Sequence, residues 1–120
     1  MIPSQLLKGT LKGCILAVLS QKPTYGYEIT ERLASYGFGT IAEGTIYPLL
    51  LRLEKNGLAQ AEYRASEVGP KRKYYALTEK GRAELQEFLL SYRELTTAVD
   101  KLLTDTGGDP NDKANPTAAG

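Results

Sequence analysis

Two short segments of the chain concentrate side chains that suit phosphate binding. The segment Glu43–Pro48 contains the hydroxyl groups of Thr45 and Tyr47, and Gly44 beside them would let the backbone approach another molecule closely. The segment Lys71–Lys73 contains three consecutive cations. Hydroxyl groups donate hydrogen bonds to phosphate oxygens, and cations neutralise phosphate charge. A threonine methyl group can also contact the methyl group of a thymine.

Catalytic chemistry has little support in the composition. The 120 residues include no histidine, so the commonest general base and a common metal ligand are missing. The sequence contains no nucleophile elbow and no phosphate-binding glycine loop. We therefore expect a protein that is not an enzyme and that has no catalytic residue, no metal site and no cofactor.

The one cysteine, Cys14, excludes an intramolecular disulfide, which fits a reducing cytosol. Because Cys14 lies in an apolar stretch, we expect it to be a buried structural thiol. The N-terminus shows no signal-peptide pattern, and no apolar run is long enough to cross a bilayer. These features predict a cytoplasmic location.

Positive charge is unevenly distributed along the chain. The formal net charge is +1, which is low for a protein that binds nucleic acid. Residues 63–82 carry six cations and two carboxylates, a net charge of +4, whereas residues 105–120 carry three carboxylates and one lysine, a net charge of −2. Local rather than total charge decides phosphate binding, so residues 63–82 are a candidate surface. The low total also keeps open a second class, a protein-interaction module that does not bind DNA.

Apolar periodicity predicts three helices in the first half of the chain. The first spans Gln5–Ser20 and is apolar on more than one side, so it must be covered on more than one side. The second spans Thr24–Ser35, with Thr24 as a possible N-cap, and Gly37 follows its end. The third spans Glu43–Asn56, and the glycine after Asn56 is typical of a helix C-terminus.

The second half predicts two strands and a long helix. Strands at Leu58–Ala65 and Lys73–Leu77 flank a loop rich in turn residues, which together form a hairpin with a wing. The last helix follows its N-cap Thr78 and runs to about Leu103. The residues after Thr104 are rich in Gly, Pro, Asp and Asn, a composition typical of a disordered tail.

The last helix carries an apolar seam with heptad spacing. Its members are Leu85, Phe88, Tyr92, Leu95, Val99 and Leu102. Because the helix is longer than a small domain needs for its own core, the seam predicts a homodimer, to which Leu7 and Leu11 of the first helix would also contribute. The alternative is that the seam packs against its own domain.

The order of elements predicts a mainly α fold with a small β-hairpin, namely a winged helix-turn-helix followed by a long C-terminal dimerisation helix. Such a fold places the second central helix in the major groove of double-stranded DNA, with the start of that helix at the base edges. We expect a DNA-binding domain over residues 1–78, a dimerisation helix over 79–104 and a disordered tail over 105–120.

The candidate DNA-binding residues lie on the central helices and the wing. They are Tyr25, Glu43, Gly44, Thr45, Tyr47, Pro48, Arg52, Gly69, Lys71, Arg72 and Lys73. Three of these assignments have alternatives. Tyr47 could be a core tyrosine, Arg52 could form a surface salt bridge, and the cations at 71–73 could be an ordinary solvated hairpin tip.

Three runs of the sequence resemble the PadR family of transcriptional regulators. They are residues 24–29 (TYGYEI), residues 43–58, which begin with EGTIYP, and residues 72–82 (RKYYALTEKGR). The resemblance covers about residues 5–103, and the runs are specific only in combination. It implies a homodimeric winged helix-turn-helix repressor of the short form with one C-terminal helix. Leu51 departs from the pattern, since many members carry a polar residue there, so the operator preference does not transfer.

The resemblance also implies that a small molecule relieves repression. The apolar excess of the first and last helices indicates a hydrophobic cleft at the dimer interface, which suits an apolar or aromatic effector. Such a ligand would change the spacing of the two DNA-binding heads. Because those heads would lie about one DNA turn apart, roughly 34 Å, the operator should be a near-palindrome.

Overall fold

A computed structural model describes residues 2–107 of the chain. Its elements follow the order α1 (Ser4–Leu7), α2 (Leu11–Gln21), β1 (Thr24–Tyr25), α3 (Gly26–Leu33), α4 (Glu43–Lys55), β2 (Ala59–Arg64), β3 (Arg72–Leu77) and α5 (Glu79–Asp105). The predicted fold class, mainly α with a small antiparallel sheet, is confirmed. Contacts divide the chain into two compact units, Met1–Glu87 and Phe88–Gly120. Between residues 2 and 107, every helix lacks the length or the apolar character that crossing a membrane requires.

The first predicted helix is interrupted. Residues 8–10 form a turn between α1 and α2, where the amide and the hydroxyl of Thr10 both donate to the Leu7 carbonyl, at 2.9 and 3.1 Å. A hydroxyl that bonds to the local backbone competes with helical hydrogen bonding. The single helix predicted over Gln5–Ser20 is therefore wrong at residues 8–10. The prediction that this segment is covered on several sides holds for α2, which buries Leu11, Ile15, Leu16, Val18 and Leu19.

The second helix begins later than predicted because a short strand precedes it. Thr24 and Tyr25 form β1, which pairs antiparallel with Tyr75 and Tyr74 of β3. Thr24 is fully buried, and its hydroxyl donates to the Lys22 carbonyl at 2.8 Å instead of capping a helix. The N-cap position belongs to Tyr25, which makes no side-chain capping bond. A two-residue strand leaves no periodic pattern, so the sequence could not indicate it.

The two central helices bury the apolar stripes that the sequence predicts. α3 ends at Leu33 and passes into a π-helical turn over Ala34–Phe38. α4 begins at the predicted Glu43 and ends at Lys55, one residue before the predicted end. The buried residues on these stripes are Ile29 and Leu33 on α3, and Ile46, Leu50 and Leu53 on α4.

The sheet has the order β1-β3-β2, with β3 in the centre. β2 and β3 form the predicted hairpin, and their register runs from Ala59 opposite Leu77 to Arg64 opposite Arg72. Tyr75, on the central strand, is 1% exposed. The hairpin therefore fixes the base of the wing against the core.

α5 begins where it closely approaches the hairpin. The hydroxyl oxygen of Thr78 accepts a hydrogen bond from the Gly81 amide at 3.0 Å, which confirms the predicted N-cap. The same hydroxyl donates to the Gly57 carbonyl at 2.7 Å. A Cβ atom at Gly81 would overlap the carbonyl oxygen of Leu58 and lie 2.6 Å from Cδ1 of Leu77. Glycine at this position therefore permits the helix to pack onto the hairpin.

In the second unit, α5 presents apolar side chains to solvent. Those more than a third exposed are Leu90, Tyr92, Leu95, Val99 and Leu102. The helix ends at Asp105, two residues beyond the predicted end. The predicted disordered tail lies, from residue 108 onward, outside the described residues.

Candidate nucleic-acid interface

The first turns of α4 present polar side chains outward. Ile46 is 1% exposed and faces the core, whereas Tyr47 is 52% exposed. Glu43, Gly44 and Thr45 are exposed as well. Tyr47 is therefore not a core tyrosine, and the start of α4 offers a carboxylate, a hydroxyl and a phenol to solvent.

The N-terminus of α4 is capped by backbone alone. Ala42 occupies the N-cap position, and its carbonyl accepts hydrogen bonds from the amides of Thr45 and Ile46 at 2.9 and 3.3 Å. Helix starts carry partial positive charge, so the carboxylate of Glu43 in the first turn is favourably placed. Pro48 lies exposed in the second turn.

Further along α4, Arg52 and Leu51 are also exposed. Arg52 makes no ion pair within residues 2–107, so the salt bridge considered from the sequence does not form there. Leu51 is 41% exposed, although it is apolar. The outward surface of α4 therefore combines a free guanidinium with an apolar side chain.

The wing loop is organised by Ser66. Its hydroxyl lies 2.8–3.2 Å from the carbonyl oxygens of Val68, Gly69 and Pro70. Gly69 has a φ of 92°, in the left-handed region that favours glycine. Lys71 follows this turn with an exposed side chain. The loop thus has a defined turn, and its basic end is open to solvent.

A row of cations and tyrosines crosses the sheet at the base of the wing. The guanidinium of Arg64 lies 4.5 Å from the ring centroid of Tyr74, and that of Arg72 lies 4.6 Å from the ring of Tyr25. The two tyrosine rings meet edge to face, with centroids 5.2 Å apart. Cation–π contacts contribute about 0.5–1 kcal/mol at exposed sites. This row therefore restrains the two arginines.

Tyr25 and Arg72 are candidate contacts predicted from the sequence, whereas Arg64 and Tyr74 were not predicted. The sequence did contain a signal, because a cation and an aromatic residue, Arg72 and Tyr74, alternate on one face of the second strand of the hairpin, β3. That signal could not identify the partners, because they depend on the pairing register. Arg64 also contacts the carboxylate of Glu62, at 2.7 Å, so its charge is already compensated.

An open groove of about 440 Å³ separates the start of α4 from β3. Five predicted contact residues line it, namely Tyr25, Glu43, Tyr47, Arg72 and Lys73. The other lining residues are Gly26, Tyr27, Ile46, Leu50 and Tyr75. The remaining predicted contacts, Gly44, Thr45, Pro48, Arg52, Gly69 and Lys71, are exposed outside the groove. The start of α4 and the base of the wing therefore share one concave surface.

Lys73 differs from the two cations before it. Its ammonium lies 3.0 Å from Oε1 of Glu54, and its side chain is 21% exposed. The hydrogen bond that the ammonium donates to Glu54 raises the pKa of Lys73 above its ordinary value. The Lys73 ammonium, which was predicted to contact phosphate, is therefore already paired with a carboxylate. Lys71, in contrast, has no ion-pair partner within residues 2–107.

The ring of Tyr75 lies close to the ammonium of this ion pair. The Lys73 ammonium is 5.2 Å from the Tyr75 ring centroid. Burial raises the pKa of Tyr75, and the neighbouring ammonium opposes that rise. In the described part of the chain, the buried hydroxyl finds no hydrogen-bond partner.

The predicted dimer residues fall into two groups. Leu11 and Leu85 are 4% and 8% exposed, so both are buried by their own chain, which corrects their assignment to a surface that a partner would cover. Leu7 and Phe88 are half-buried. The other seam residues are between 42% and 63% exposed, and they are Tyr92, Leu95, Val99 and Leu102.

The thiol of Cys14 does not line the groove between α4 and β3. Cys14, on α2, is half-buried, and burial raises the pKa of its thiol. Across residues 2–107, His, Cys, Asp and Glu form no cluster of three or more that could hold a metal ion.

Comparison with known proteins gives consistent matches. The model of the transcriptional regulator PadR-like family matches residues 15–87. A transcriptional regulator of Mycobacterium tuberculosis is 35% identical over 85 residues, which cover 71% of this chain and 78% of the relative. The crystal structure of a PadR-like transcriptional regulator from Bacillus cereus has 50% sequence identity and a TM-score of 0.75, covering 83% of this chain and 97% of that one. A PadR family regulator from Eggerthella lenta has 37% identity and a TM-score of 0.75, with coverage of 82% and 86%.

Proposed function

The chain belongs to the PadR-like family of transcriptional regulators, and we propose that it is a repressor that binds a near-palindromic DNA operator as a homodimer. The family and the relatives are regulators of transcription rather than enzymes, which implies regulation through DNA binding. The observation that carries the proposal is the exposed polar start of α4, which shares one concave surface with the cationic base of the wing.

The start of α4 supplies groups for base edges. In the major groove, the Thr45 methyl group can contact a thymine methyl, and the Glu43 carboxylate can accept a hydrogen bond from a cytosine amino group. The exposed phenol of Tyr47 can donate to a phosphate or a base. At Gly44, a Cβ atom would meet nothing within 4 Å, so this part of the backbone is open to a close approach.

Phosphate contacts come from cations that no carboxylate neutralises. Lys71 on the wing and Arg52 on α4 meet this condition within residues 2–107. Arg72, held over the Tyr25 ring, adds a third cation at the groove. Each neutralised phosphate contributes about 0.9 to the slope of log affinity against log salt concentration.

The exposed seam of α5 supports the homodimer. Tyr92, Leu95, Val99 and Leu102 follow heptad spacing and are all more than two-fifths exposed. A contiguous apolar surface on a helix marks an interaction site, and a second copy offers a matching seam. In such a dimer the two α4 helices would lie about 34 Å apart, which requires a near-palindromic operator.

We also propose that the effector is an apolar or aromatic small molecule that binds at the dimer interface. Leu6 of α1 is 71% exposed, and the α5 seam is exposed as well, so both segments offer apolar surface. Linkage requires that a ligand which weakens DNA binding is itself bound less tightly by the DNA complex. A screen should therefore seek compounds that change both the thermal stability and the DNA affinity.

The test is a gel shift with the DNA upstream of the protein's own gene, repeated over a range of salt concentrations. Replacing Lys71 with alanine should lower the salt slope by about 0.9 per wing contact. Lys8→Ala is the matched control, because it removes the same charge from an exposed position outside α4 and the wing. An unchanged slope in Lys71→Ala would refute the wing contact. Failure of the wild type to bind this DNA or heparin would favour the protein-interaction module.

A further inference from the structure

One ion pair joins the base of the wing to α4, the recognition helix of the proposed function. The Lys73 ammonium on β3 lies 3.0 Å from Oε1 of Glu54 on α4. The other ion pairs between residues 2 and 107 connect different places: Lys12 with Glu84, Lys22 with Glu28, and Arg64 with Glu62. Among the ion pairs of the described residues, Lys73 with Glu54 is therefore the one that links β3 to α4.

The pair is partly withdrawn from solvent and rests on the core. The side chains of Lys73 and Glu54 are 21% and 39% exposed. The Lys73 ammonium also lies 5.2 Å from the ring centroid of Tyr75, which is 1% exposed. Since solvent screens such a pair less than a fully exposed one, it can hold a defined geometry.

The ion pair between Lys73 and Glu54 lies at the groove between α4 and β3. Lys73 and Tyr75 line it on the side of β3, and Tyr47 lines it on the side of α4. A change in the distance between α4 and β3 would move the base-reading residues relative to the wing cations. Binding groups need support that holds them to within about 0.5 Å, which is a function of packed and hydrogen-bonded neighbours.

We propose that Lys73 and Glu54 are positioning residues for DNA binding, whose ion pair sets the separation of the recognition helix and the wing. In this role Lys73 does not contact a phosphate, although it follows two cations that do. The inference rests on the proposed function, because it requires both α4 and the wing to reach DNA.

The test compares Lys73→Met with Lys71→Met in operator binding over a range of salt concentrations. Each lost phosphate contact lowers the salt slope by about 0.9, so Lys71→Met, which removes one contact from each protomer of the dimer, should lower it by about 1.8. Loss of a positioning contact lowers affinity at every salt concentration and leaves the slope unchanged. For Lys73→Met we expect an affinity about three- to tenfold lower, which lies in the lower part of the range of coupling between contacting residues.

Glu54→Gln distinguishes the two roles by the direction of its effect. If Lys73 contacted phosphate, removing the Glu54 charge would release the ammonium and strengthen binding. If the pair positions the two elements, Glu54→Gln weakens binding about as much as Lys73→Met. The double variant is then no weaker than either single variant. The charge exchange Glu54→Lys with Lys73→Glu should recover part of the loss.

The outcomes separate the inference from the proposed function. A wild-type protein that binds no operator DNA refutes the proposed function, and the inference falls with it. A wild type that binds, together with a lower slope in Lys73→Met or tighter binding in Glu54→Gln, overturns the inference alone. Thermal unfolding of each variant shows whether it is folded, and if Lys73→Met is not, Glu54→Gln and the charge exchange decide.

Discussion

Replacing Gly81 with alanine should destabilise the protein, even though alanine is the better helix former. In an open helical position the change would gain about 1 kcal/mol. Here the new Cβ atom would overlap the carbonyl oxygen of Leu58 and lie 2.6 Å from Cδ1 of Leu77. That carbonyl belongs to the backbone and already accepts a hydrogen bond from the Thr78 amide at 3.1 Å, so it cannot simply turn away.

The magnitude follows from these opposing effects. Overpacking costs about 1–3 kcal/mol, and weakening the bond between Leu58 and Thr78 adds about 1 kcal/mol. After the helical gain is subtracted, the free energy of unfolding should fall by about 1–3 kcal/mol. For a domain of this size the midpoint of thermal unfolding should fall by roughly 5–20 °C.

The assay is thermal unfolding at one fixed protein concentration, because dimer formation makes the midpoint depend on concentration. Gly44→Ala is the matched control, since it also places alanine in the first turn of a helix but meets no atom within 4 Å. The control should be as stable as the wild type or slightly more stable. A Gly81→Ala protein that unfolds at or above the wild-type temperature would refute the argument from close approach.

Three other perturbations address the helix cap, the seam and the thiol. Thr78→Val, which keeps the shape but removes the hydroxyl, should lower the free energy of unfolding in urea by about 1 kcal/mol, while Thr78→Ser retains most of it. Leu95→Glu should shift the protein towards monomer in sedimentation, because it places a charge in the apolar seam. Arg93→Glu, which is also exposed on α5, is the control and should leave the dimer intact. A dimer unaffected by Leu95→Glu would argue against the seam as the interface. Cys14 should react slowly with a thiol reagent at neutral pH, because a raised pKa leaves less thiolate, and its rate should rise on unfolding; equal rates in both states would contradict the burial.

The elements that local patterns specify could be predicted from the sequence. The apolar spacing in α4 and the Asn-Gly pair after it located this helix to within a residue at either end. Thr78 identified the start of α5 because a hydroxyl before a helical run usually caps its first turn. The exposure of Tyr47 followed in turn, since the burial of Ile46 directs its neighbour outward.

The features that the sequence missed depend on contacts between distant segments. β1 is stabilised by its pairing with β3, some fifty residues further along the chain, and no pattern within two residues can indicate that. The pairing of Lys73 with Glu54 likewise requires the position of the hairpin relative to α4. A run of cations is therefore an incomplete guide to phosphate contacts, because the fold decides which of them remain free.

The carboxylate partners of the cations limit the charge that this nearly neutral chain can offer to phosphate in the proposed function. Lys12, Lys22, Arg64 and Lys73 each have a carboxylate partner, which removes them from the charge available to phosphate. On the proposed interface this leaves Lys71, Arg72 and Arg52. If these three reach phosphates, the salt slope should be only about 2.7 per protomer, or about 5 for a dimer. Since so few charges contribute, the side chains at the start of α4 must supply a larger share of the affinity than in a strongly basic protein. A changed operator base opposite Thr45 or Glu43 should then lower the binding free energy by about 1–3 kcal/mol, the usual loss for one base contact. Because non-specific binding is weak, the full loss should appear in the measured affinity.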